Sequence, residues 1–461
     1  MGLSRRGFIG GLAASGAVQG CRFLPSLRSC GSPCLTLGVL SDIHLRVPGD
    51  EGTFRTALEF FRARNVDGVL VAGDITDTGR IAELERCAAT WYSVFPDGKY
   101  PDGRVCEQLF IYGNHCIESH LWQKEFKDDP TILEREGINF GDRRKEVWER
   151  CFHESYAPVW TKTVRGCTVV GRHWGEPFAL PAGIDRSAPF VYTQHDHPKD
   201  TCLGPWAWGH DDGTSTAALS HYPNCVAFSG NSHHTLTDER SVWQGGFTSV
   251  NTGSLNYASV DYSLRENAVC NESGYRGERR PLEQSRVRTK DGRQGLVVSF
   301  YDDRLVVERR EFVHGLKSLG PDWIVPYPAD GVSFSFAARA AARSAPAFDC
   351  RSEPKVKAIE KDGRRLYEVS FPPARPVDGC RPNEYEVSAV LCEDDVELVQ
   401  AQRRVLDEGF YLPVELAVRP TRCVFAADAL PNKGSYRFEV RPIECFGKKG
   451  PAIRSAPVVL T

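Results

Sequence analysis

The chain has 461 residues, of which 41% are hydrophobic and 25% are charged, and its formal net charge is −3. This length suits roughly two to four globular domains, and the near-neutral charge gives no electrostatic reason to expect a nucleic-acid-binding patch. The 16 cysteines are scattered rather than arranged as Cys-x-x-Cys pairs. This pattern disfavours a zinc ribbon and predicts buried thiols together with some disulfides.

Residues 1–34 are predicted to be a signal peptide and an N-terminal tether. A basic start with Arg5 and Arg6 precedes a mildly apolar run, Gly7 to Val18, which is shorter than the roughly 20 residues that span a bilayer. These features are typical of a secretory signal, and the segment SRRGFI resembles the twin-arginine export motif. Cys21 follows a degenerate lipoprotein processing site. We therefore expect an exported bacterial protein, periplasmic or at the cell surface, with a membrane-tethered lipoprotein as one form.

Residues 35–325 alternate between apolar runs and segments of helical periodicity. The predicted elements are a strand at 36–43, a helix at 53–65, a strand at 67–72, a helix at 81–95 and a strand at 108–112. Residues 117–155 are polar and partly helical, and we interpret them as an insertion near the mouth of a site. The β-rich continuation has candidate strands at 163–174, 189–194, 224–229 and 247–254, then a hairpin over 295–312 that turns at Asp302-Asp303. This order predicts an α/β domain in which sheets are layered with helices.

The last part of the chain is predicted to be a separate all-β domain. Residues 326–348 are rich in Pro, Ala and Ser and are predicted to be a linker. Residues 349–461 show only strand patterns, at 366–371, 385–392, 396–406, 414–427 and 436–445. About seven strands at this spacing predict a β-sandwich that resembles a fibronectin type III module.

Five short motifs, each after an apolar strand, carry the chemistry. They are Asp42-Ile43-His44, Gly73-Asp74, Gly113-Asn114-His115, the segment containing His195, and Gly230-Asn231-Ser232-His233. Alternate residues of a strand point to one side, so Asp42 and His44 can reach the same ion. Carboxylate, imidazole and amide ligands suit Mn, Fe, Zn or Mg. The motifs therefore predict a site for divalent metal ions.

In this order the motifs resemble those of the calcineurin-like metallophosphoesterases, over roughly residues 35 to 315. The resemblance implies a layered α/β/β/α sandwich and two metal ions about 4 Å apart. It assigns Asp42, His44, Asp74 and His233 to the first ion and Asp74, Asn114 and His195 to the second, with Asp74 bridging. Asn231 stands where the family usually has a histidine ligand of the second ion, and its amide oxygen is a candidate ligand. The catalytic residues would be Asp74 and His115, which contacts the phosphate and assists the leaving group.

Other residues near the motifs leave some roles open. His197 or His234 could supply the nitrogen that Asn231 lacks. Cys116 follows His115 at a position where many relatives have an acidic residue. That acid orients the histidine, and a thiol is a poor substitute in this role. Asp77 is expected to be an exposed helix cap rather than a ligand.

The function predicted from these residues is hydrolysis of a phosphomonoester or phosphodiester by metal-activated water, on a small-molecule or polymeric substrate. The alternative is a catalytically weakened metal-binding or surface-binding protein of the same fold, and a membrane-tethered nucleotidase is a third interpretation. The sequence leaves the oligomeric state open.

Overall fold

The computed structural model describes residues 31–204, 207, 209–260, 291–393, 396–430 and 433–460. The twin-arginine segment and Cys21 lie outside these residues. Up to residue 326 the elements are β1 (Leu35–Leu40), α1 (Glu51–Ala63), β2 (Gly68–Val71), α2 (Ile81–Val94), β3 (Glu107–Phe110), α3 (Asn114–Ile117), α4 (Lys124–Asp128), α5 (Ile132–Arg135), α6 (Arg143–Phe152), β4 (Val159–Val164), β5 (Cys167–Arg172), β6 (Phe190–Thr193), α7 (Thr214–Leu219), β7 (Cys225–Ser229), β8 (Val242–Gln244), β9 (Thr248–Asn251), β10 (Gln294–Phe300), β11 (Arg304–Glu311) and β12 (Trp323–Pro326).

These strands form two six-stranded mixed sheets. The first has the order β12-β11-β10-β1-β2-β3, and the second has the order β4-β5-β6-β7-β9-β8. In the first sheet β1, β2 and β3 run parallel, whereas β10 pairs antiparallel with β1. In the second, β5, β6, β7 and β9 run parallel. Both sheets are covered on both faces, which explains why their parallel strands are continuous apolar runs rather than alternating ones.

An apolar core lies between the two sheets. It joins residues of the first sheet, such as Leu37, Leu70 and Val298, to residues of the second, such as Val226 and Phe228. All five side chains are fully buried. Successive residues of a strand point to opposite faces, so the remaining positions of the first sheet face the helices instead.

Helices cover the outer faces of both sheets. Helices α1, α2 and α6 pack on the first sheet through residues such as Phe61, Trp91 and Trp148. Gly38 of β1 allows the close approach of α1, because a Cβ atom there would lie 2.5 Å from the Phe61 ring. On the second sheet, Leu219 of α7 joins a smaller apolar cluster. The predicted α/β/β/α layering is therefore confirmed.

The strand predicted at 163–174 differs from the observed structure. The single strand expected at 163–174 is a hairpin of β4 and β5, in which Val164 pairs with Cys167. Arg165 and Gly166 form its two-residue turn, both with positive φ (53° and 82°), as a tight hairpin turn requires. The hairpin of β10 and β11 forms where it was predicted, with Phe300 paired to Leu305.

The interval predicted to be a linker carries a docked helix. The later elements are α8 (Phe336–Ala342), β13 (Lys355–Lys361), β14 (Arg364–Phe371), β15 (Glu384–Glu393), β16 (Val396–Leu406), β17 (Thr421–Ala426), β18 (Gly434–Ile443), β19 (Ile453–Arg454) and β20 (Val458–Leu460). Arg339 of α8 donates to the carbonyl of Val242 at 2.8 Å and to Glu239 at 3.0 Å. Polar contacts therefore fix this helix against the second sheet. The exact domain limits stay a prediction.

Strands β13 to β20 form an all-β domain of antiparallel sheets. One sheet has the order β13-β14-β17, and the other has the order β16-β15-β18-β19, with β20 also paired to β18. Their inner faces enclose a separate apolar core that includes Val369, Tyr385, Phe425 and Phe438. The predicted C-terminal all-β sandwich is confirmed, whereas its likeness to a fibronectin type III module stays a prediction.

Each cysteine among the described residues is a free thiol, and most of them are buried. The disulfides expected from the sequence are therefore not found in this part of the chain. None of the helices described is both long enough and apolar enough to cross a membrane.

Candidate metal centre

The site is built where three neighbouring strands of the first sheet end. Asp42 and His44 follow β1, Asp74 follows β2, and Asn114 and His115 follow β3. The pairing of β1 with β2 continues past the strand ends, because the Asp42 amide donates to the Gly73 carbonyl at 3.1 Å and the His44 amide donates to the Asp74 carbonyl at 3.0 Å. The backbone thus holds the first two motifs side by side, at the edge where parallel strands commonly present ligands.

The second sheet contributes the other two motifs. His195 follows β6, and Asn231 and His233 follow β7, the adjacent strand. The Gly230 amide donates to the His195 carbonyl at 2.9 Å, and the Asn231 amide donates to Oδ2 of Asp42 at 3.1 Å. The second bond links the two sheets directly at the site.

Five of these residues adopt left-handed backbone conformations that side chains other than glycine rarely take. They are Asp42 (φ 51°), His44 (φ 49°), Asp74 (φ 47°), Asn231 (φ 64°) and His233 (φ 54°). Each such conformation costs on the order of 1 kcal/mol and persists only where the surroundings enforce it. Its repetition in one cluster indicates that the fold is organised around the positions of these side chains.

One group of metal-ligating atoms comes from Asp42, His44 and His233. The Nε2 atoms of His44 and His233 lie 3.1 Å apart. Oδ1 of Asp42 is 3.0 Å from Nε2 of His233 and 3.8 Å from Nε2 of His44. All three residues are buried. Two imidazole nitrogens and a carboxylate oxygen around one point suit a divalent ion such as Zn, Fe or Mn.

A second group is formed by Asp42, Asp74 and His195. Nε2 of His195 is 3.1 Å from Oδ2 of Asp74 and 3.9 Å from Oδ1 of Asp42. Oδ2 of Asp74 is also 3.7 Å from Nε2 of His44. In both groups the candidate ligand atoms lie within 4.8 Å of one another. Asp74 therefore lies close to histidines of both groups, and so does Asp42, which sequence reasoning assigned to the first ion alone.

His115 lies at the edge of the cluster and Asn114 beside it. The His115 amide donates to Oδ1 of Asp74 at 2.8 Å, and the imidazole is partly exposed. His115 also groups with His44 and Asp74 as a candidate ligand. Its partial exposure, in contrast to the buried histidines, suits the predicted contact with a substrate.

Protein oxygens orient three of the site histidines. Nδ1 of His44 is 3.2 Å from Oδ1 of Asp77, Nδ1 of His195 is 2.7 Å from the Ala72 carbonyl, and Nδ1 of His115 is 2.8 Å from the Asp77 carbonyl. These oxygens hold a proton on Nδ1 and leave Nε2 to act at the site.

Asp77 was expected to be an exposed helix cap, and that expectation was wrong. Only 22% of its side chain is exposed, and α2 begins later, after Arg80. Its carboxylate contacts His44 and its carbonyl accepts from His115, so one residue positions two histidines.

The charges of the cluster stabilise one another. Burial by itself would raise the pKa of Asp42, but His233 and His44 outweigh it and hold that pKa well below its usual range. Burial likewise opposes protonation of His44 and His195, but Asp42 and Asp77 raise the pKa of His44 to about 10, and Asp74 raises that of His195 to about 9. Without a metal ion, these imidazoles are therefore held as cations among carboxylates.

The donor set fits divalent metal ions. Oδ1 of Asp42, Oδ1 of Asn114 and Nε2 of His195 are buried, and none of them makes a well-aligned hydrogen bond within the described residues. Buried polar atoms are almost always satisfied, and these three are the types of atom that ligate Mn, Fe, Zn or Mg. The residues present thus match the ions that the motifs imply.

Two neighbours of the cluster, His197 and Cys116, have structural roles. Both ring nitrogens of His197 are hydrogen-bonded to serine hydroxyls. Nδ1 lies 2.6 Å from the Ser229 hydroxyl, and Nε2 lies 2.8 Å from the Ser232 hydroxyl. His197 therefore does not replace the nitrogen missing at Asn231. The Cys116 thiol is fully buried and accepts from the Ile75 amide at 3.2 Å. Burial raises its pKa to about 12, which excludes a thiolate nucleophile at neutral pH.

Comparison with known proteins agrees with this geometry. Residues 35–239 match the family described as calcineurin-like phosphoesterase. Residues 35–239 are therefore similar to a family whose description implies a metal-dependent hydrolase of phosphate esters. No match was found among curated proteins. Two solved structures show distant likeness: "GAP50 the anchor in the inner membrane complex of Plasmodium" (10% identity, 67% of this chain, 95% of that chain, TM-score 0.33) and domains of titin (16% identity, 38% of this chain, 43% of that chain, TM-score 0.16).

Proposed function

We propose that this protein is an exported phosphoesterase that hydrolyses a phosphomonoester or phosphodiester at a two-metal centre. The observation that carries the proposal is the buried convergence of Asp42, His44, Asp74, His195 and His233 from two sheets. Left-handed backbone at four of these residues supports it, because such strain is typically retained where function requires it.

Two divalent ions at such a centre supply Lewis acidity toward the phosphate and a water acidified enough to attack near neutral pH. The side chains of the protein position the reacting groups and donate a proton to the leaving group. The Asp74 carboxylate would lie between the two groups of candidate ligands. Its Oδ1 also accepts a hydrogen bond from the His115 amide. The Asp77 carbonyl fixes a proton on Nδ1 of His115, so any proton that His115 takes up and passes on is carried on Nε2. That proton can pass to the departing oxygen of the ester.

Asn231 favours a second candidate, in which catalysis is weakened. The first group has two imidazoles, whereas the second has His195 and the carboxylates. Asn231 occupies the position of the second imidazole, and an amide oxygen is a weaker donor to Zn or Fe. On this alternative the centre binds metal but turns over slowly, and the protein acts by binding.

Hydrolysis of p-nitrophenyl phosphate and of its bis-ester, with Mn, Mg, Zn or Fe supplied in turn, tests the proposal. Asp74→Asn keeps the size of the side chain and removes its charge, and we expect it to lower metal-dependent kcat/KM by about 1,000-fold or more. Asp142→Asn changes an exposed carboxylate and is the matched control. Turnover that survives Asp74→Asn contradicts the proposal. Turnover that appears only in Asn231→His supports the weakened alternative.

Export and anchoring are part of the same proposal and rest on the sequence of the first 34 residues. Replacing Arg5 and Arg6 together by lysine should retain the protein in the cytoplasm if the twin-arginine route carries it. Cys21→Ala should abolish labelling by a fatty-acid analogue if Cys21 is lipidated. Unchanged localisation in the first variant, or unchanged labelling in the second, contradicts the corresponding part.

A further inference from the structure

A cleft of about 490 Å³ lies beside the metal centre. Its walls combine aromatic surface, from Trp174 and Phe178, with five carboxylates and a single arginine. The carboxylates are Glu118, Glu176, Asp196, Asp211 and Asp212, and the arginine is Arg172. An acidic wall is unexpected next to a site for phosphate, which is itself an anion.

Trp174 links the cleft to the metal centre. Its ring is 5.8 Å from the His195 ring in an edge-to-face arrangement, and its amide donates to the Tyr112 carbonyl at 3.1 Å. Its Nε1 donates to Glu118 at 2.7 Å, and the Glu118 amide donates to the Asn114 carbonyl at 2.8 Å. The cleft therefore begins about one side chain away from the candidate ligands, within reach of a substituent on a bound phosphate ester.

Two of the five carboxylates are neutralised by arginine. Asp196 pairs with Arg172 at 3.1 Å, and Glu176 pairs with Arg144 at 2.7 Å.

The other three accept hydrogen bonds from neutral groups. Gln194 donates to Asp211 at 3.0 Å, the Thr214 amide donates to Asp212 at 2.9 Å, and Trp174 donates to Glu118. Neutral donors orient a carboxylate without cancelling its charge. The cleft thus retains negative charge beside aromatic rings, which is the composition that attracts organic cations.

We propose that this cleft binds an organic ammonium group on the alcohol portion of the substrate, so that the substrate is a phosphate ester of an amino or quaternary ammonium alcohol. This inference rests on the proposed phosphoesterase function and specifies its substrate class. Carboxylates attract the cation, and the aromatic rings contact its alkyl groups. The same charge repels the neighbouring phosphates of a polyanionic chain, which disfavours nucleic acids as substrates.

Two diesters of the same shape test the proposal directly. In p-nitrophenyl phosphorylcholine the alcohol ends in a trimethylammonium group, and in p-nitrophenyl 3,3-dimethylbutyl phosphate an uncharged carbon replaces the nitrogen. We expect kcat/KM for the choline ester to be higher by about tenfold, equivalent to about 1.4 kcal/mol. Equal kcat/KM for the two esters, in protein that hydrolyses both, overturns the substrate class and leaves the proposed function intact.

Substitutions in the cleft test whether its carboxylates cause the preference for the choline ester. Glu118→Gln and Asp212→Asn remove charge while their side-chain oxygens can still accept from Trp174 and from the Thr214 amide. We expect each to lower the ratio of the two kcat/KM values by about threefold and the double variant to abolish the preference. Asp185→Asn is the matched control, because Asp185 is an exposed acid that accepts from a backbone amide two residues on, as Asp212 does. A preference that survives the double variant overturns the assignment to this cleft.

Binding without turnover separates the two proposals. Phosphocholine and 3,3-dimethylbutyl phosphate can be titrated calorimetrically into protein loaded with Mn. If no ester is hydrolysed but phosphocholine binds about tenfold more tightly, the phosphoesterase function fails and the ammonium site stands. If no ester is hydrolysed and the two ligands bind equally, both proposals fail.

Discussion

Loading the centre with metal should displace about two protons at pH 7.5. Carboxylates raise the pKa of His44 to about 10 and that of His195 to about 9. At pH 7.5 these values leave each imidazole more than about 95% protonated, whereas two histidines of ordinary pKa would carry about 0.2 proton in total. Because a metal ion binds only the neutral ring, both protons must leave when Nε2 becomes a ligand.

Calorimetric titration of metal-free protein with Mn or Zn, in buffers of different ionisation enthalpy, measures this release. The observed enthalpy should vary linearly with the buffer's ionisation enthalpy, with a slope of about two protons per loaded centre. The apparent affinity should also rise about 100-fold per pH unit between about pH 7 and 8, while both rings stay protonated in the metal-free state. Both quantities follow from the same two pKa values.

Two variants calibrate the measurement. His44→Gln removes one of the two rings and should reduce the release to about one proton. His221→Gln alters an exposed histidine and should leave the slope unchanged. A release near 0.2 proton from the parent protein would refute the reasoning, because the histidines would then be neutral before metal binds.

Further predictions concern stability and the packing behind the centre. Burial raises the pKa of Asp407, which accepts from Tyr385 at 2.6 Å, to about 6. Because the pKa of this carboxyl is raised in the folded state, the stability that Asp407 contributes to folding decreases as pH rises from about 4 to 6. The difference in unfolding free energy between Asp407→Asn and the parent, measured by urea denaturation, should therefore change by about 3 kcal/mol between pH 4 and pH 7. A difference that is the same at both pH values contradicts this prediction. Gly38→Ala should destabilise by about 1–3 kcal/mol because the new Cβ meets Phe61, and urea curves for the double variant with Phe61→Leu should recover part of that loss. Strict additivity would refute the proposed clash. Gly113→Ala would place a Cβ over a carboxylate oxygen of the centre and should lower Mn affinity by about tenfold or more, read by calorimetry; unchanged affinity contradicts the close approach.

The order of strands and helices was readable from sequence because buried parallel strands leave continuous apolar runs. The alternation of β1, β2 and β3 with helices followed from such runs, and so did the layering of the domain. Strand β13 was missed because it lies at a sheet edge and most of its side chains are exposed and charged. The turn at Arg165-Gly166 was missed because the flanking residues continue one apolar run across it.

The sequence predicted which residues form the candidate site, but it did not predict which residues hold those side chains in place. Motif spacing placed Asp42, His44, Asp74, His195 and His233 at strand ends, and the structure brings them together. Asp77 was misjudged because its contact with His44 depends on how the chain turns after β2, which periodicity does not show. A signal was nonetheless present, because an acid three residues after a candidate ligand can reach a neighbouring motif. The cleft depends on residues distant in sequence, such as Glu118 and Asp212, and no local pattern joins them.

The position of β1 has a consequence for synthesis of the protein on the ribosome. β1 leads directly into the first motif, yet one of its hydrogen-bonded neighbours is β10, which begins only at Gln294. The residues matched by the family end at 239, so a nascent chain of that length leaves one edge of a mostly apolar, buried strand unpaired. Such an edge invites pairing with other chains. At about 5–20 residues per second, the ribosome exposes that edge for several seconds, and we expect chaperones to engage the chain during that interval and to release it once β10 has paired.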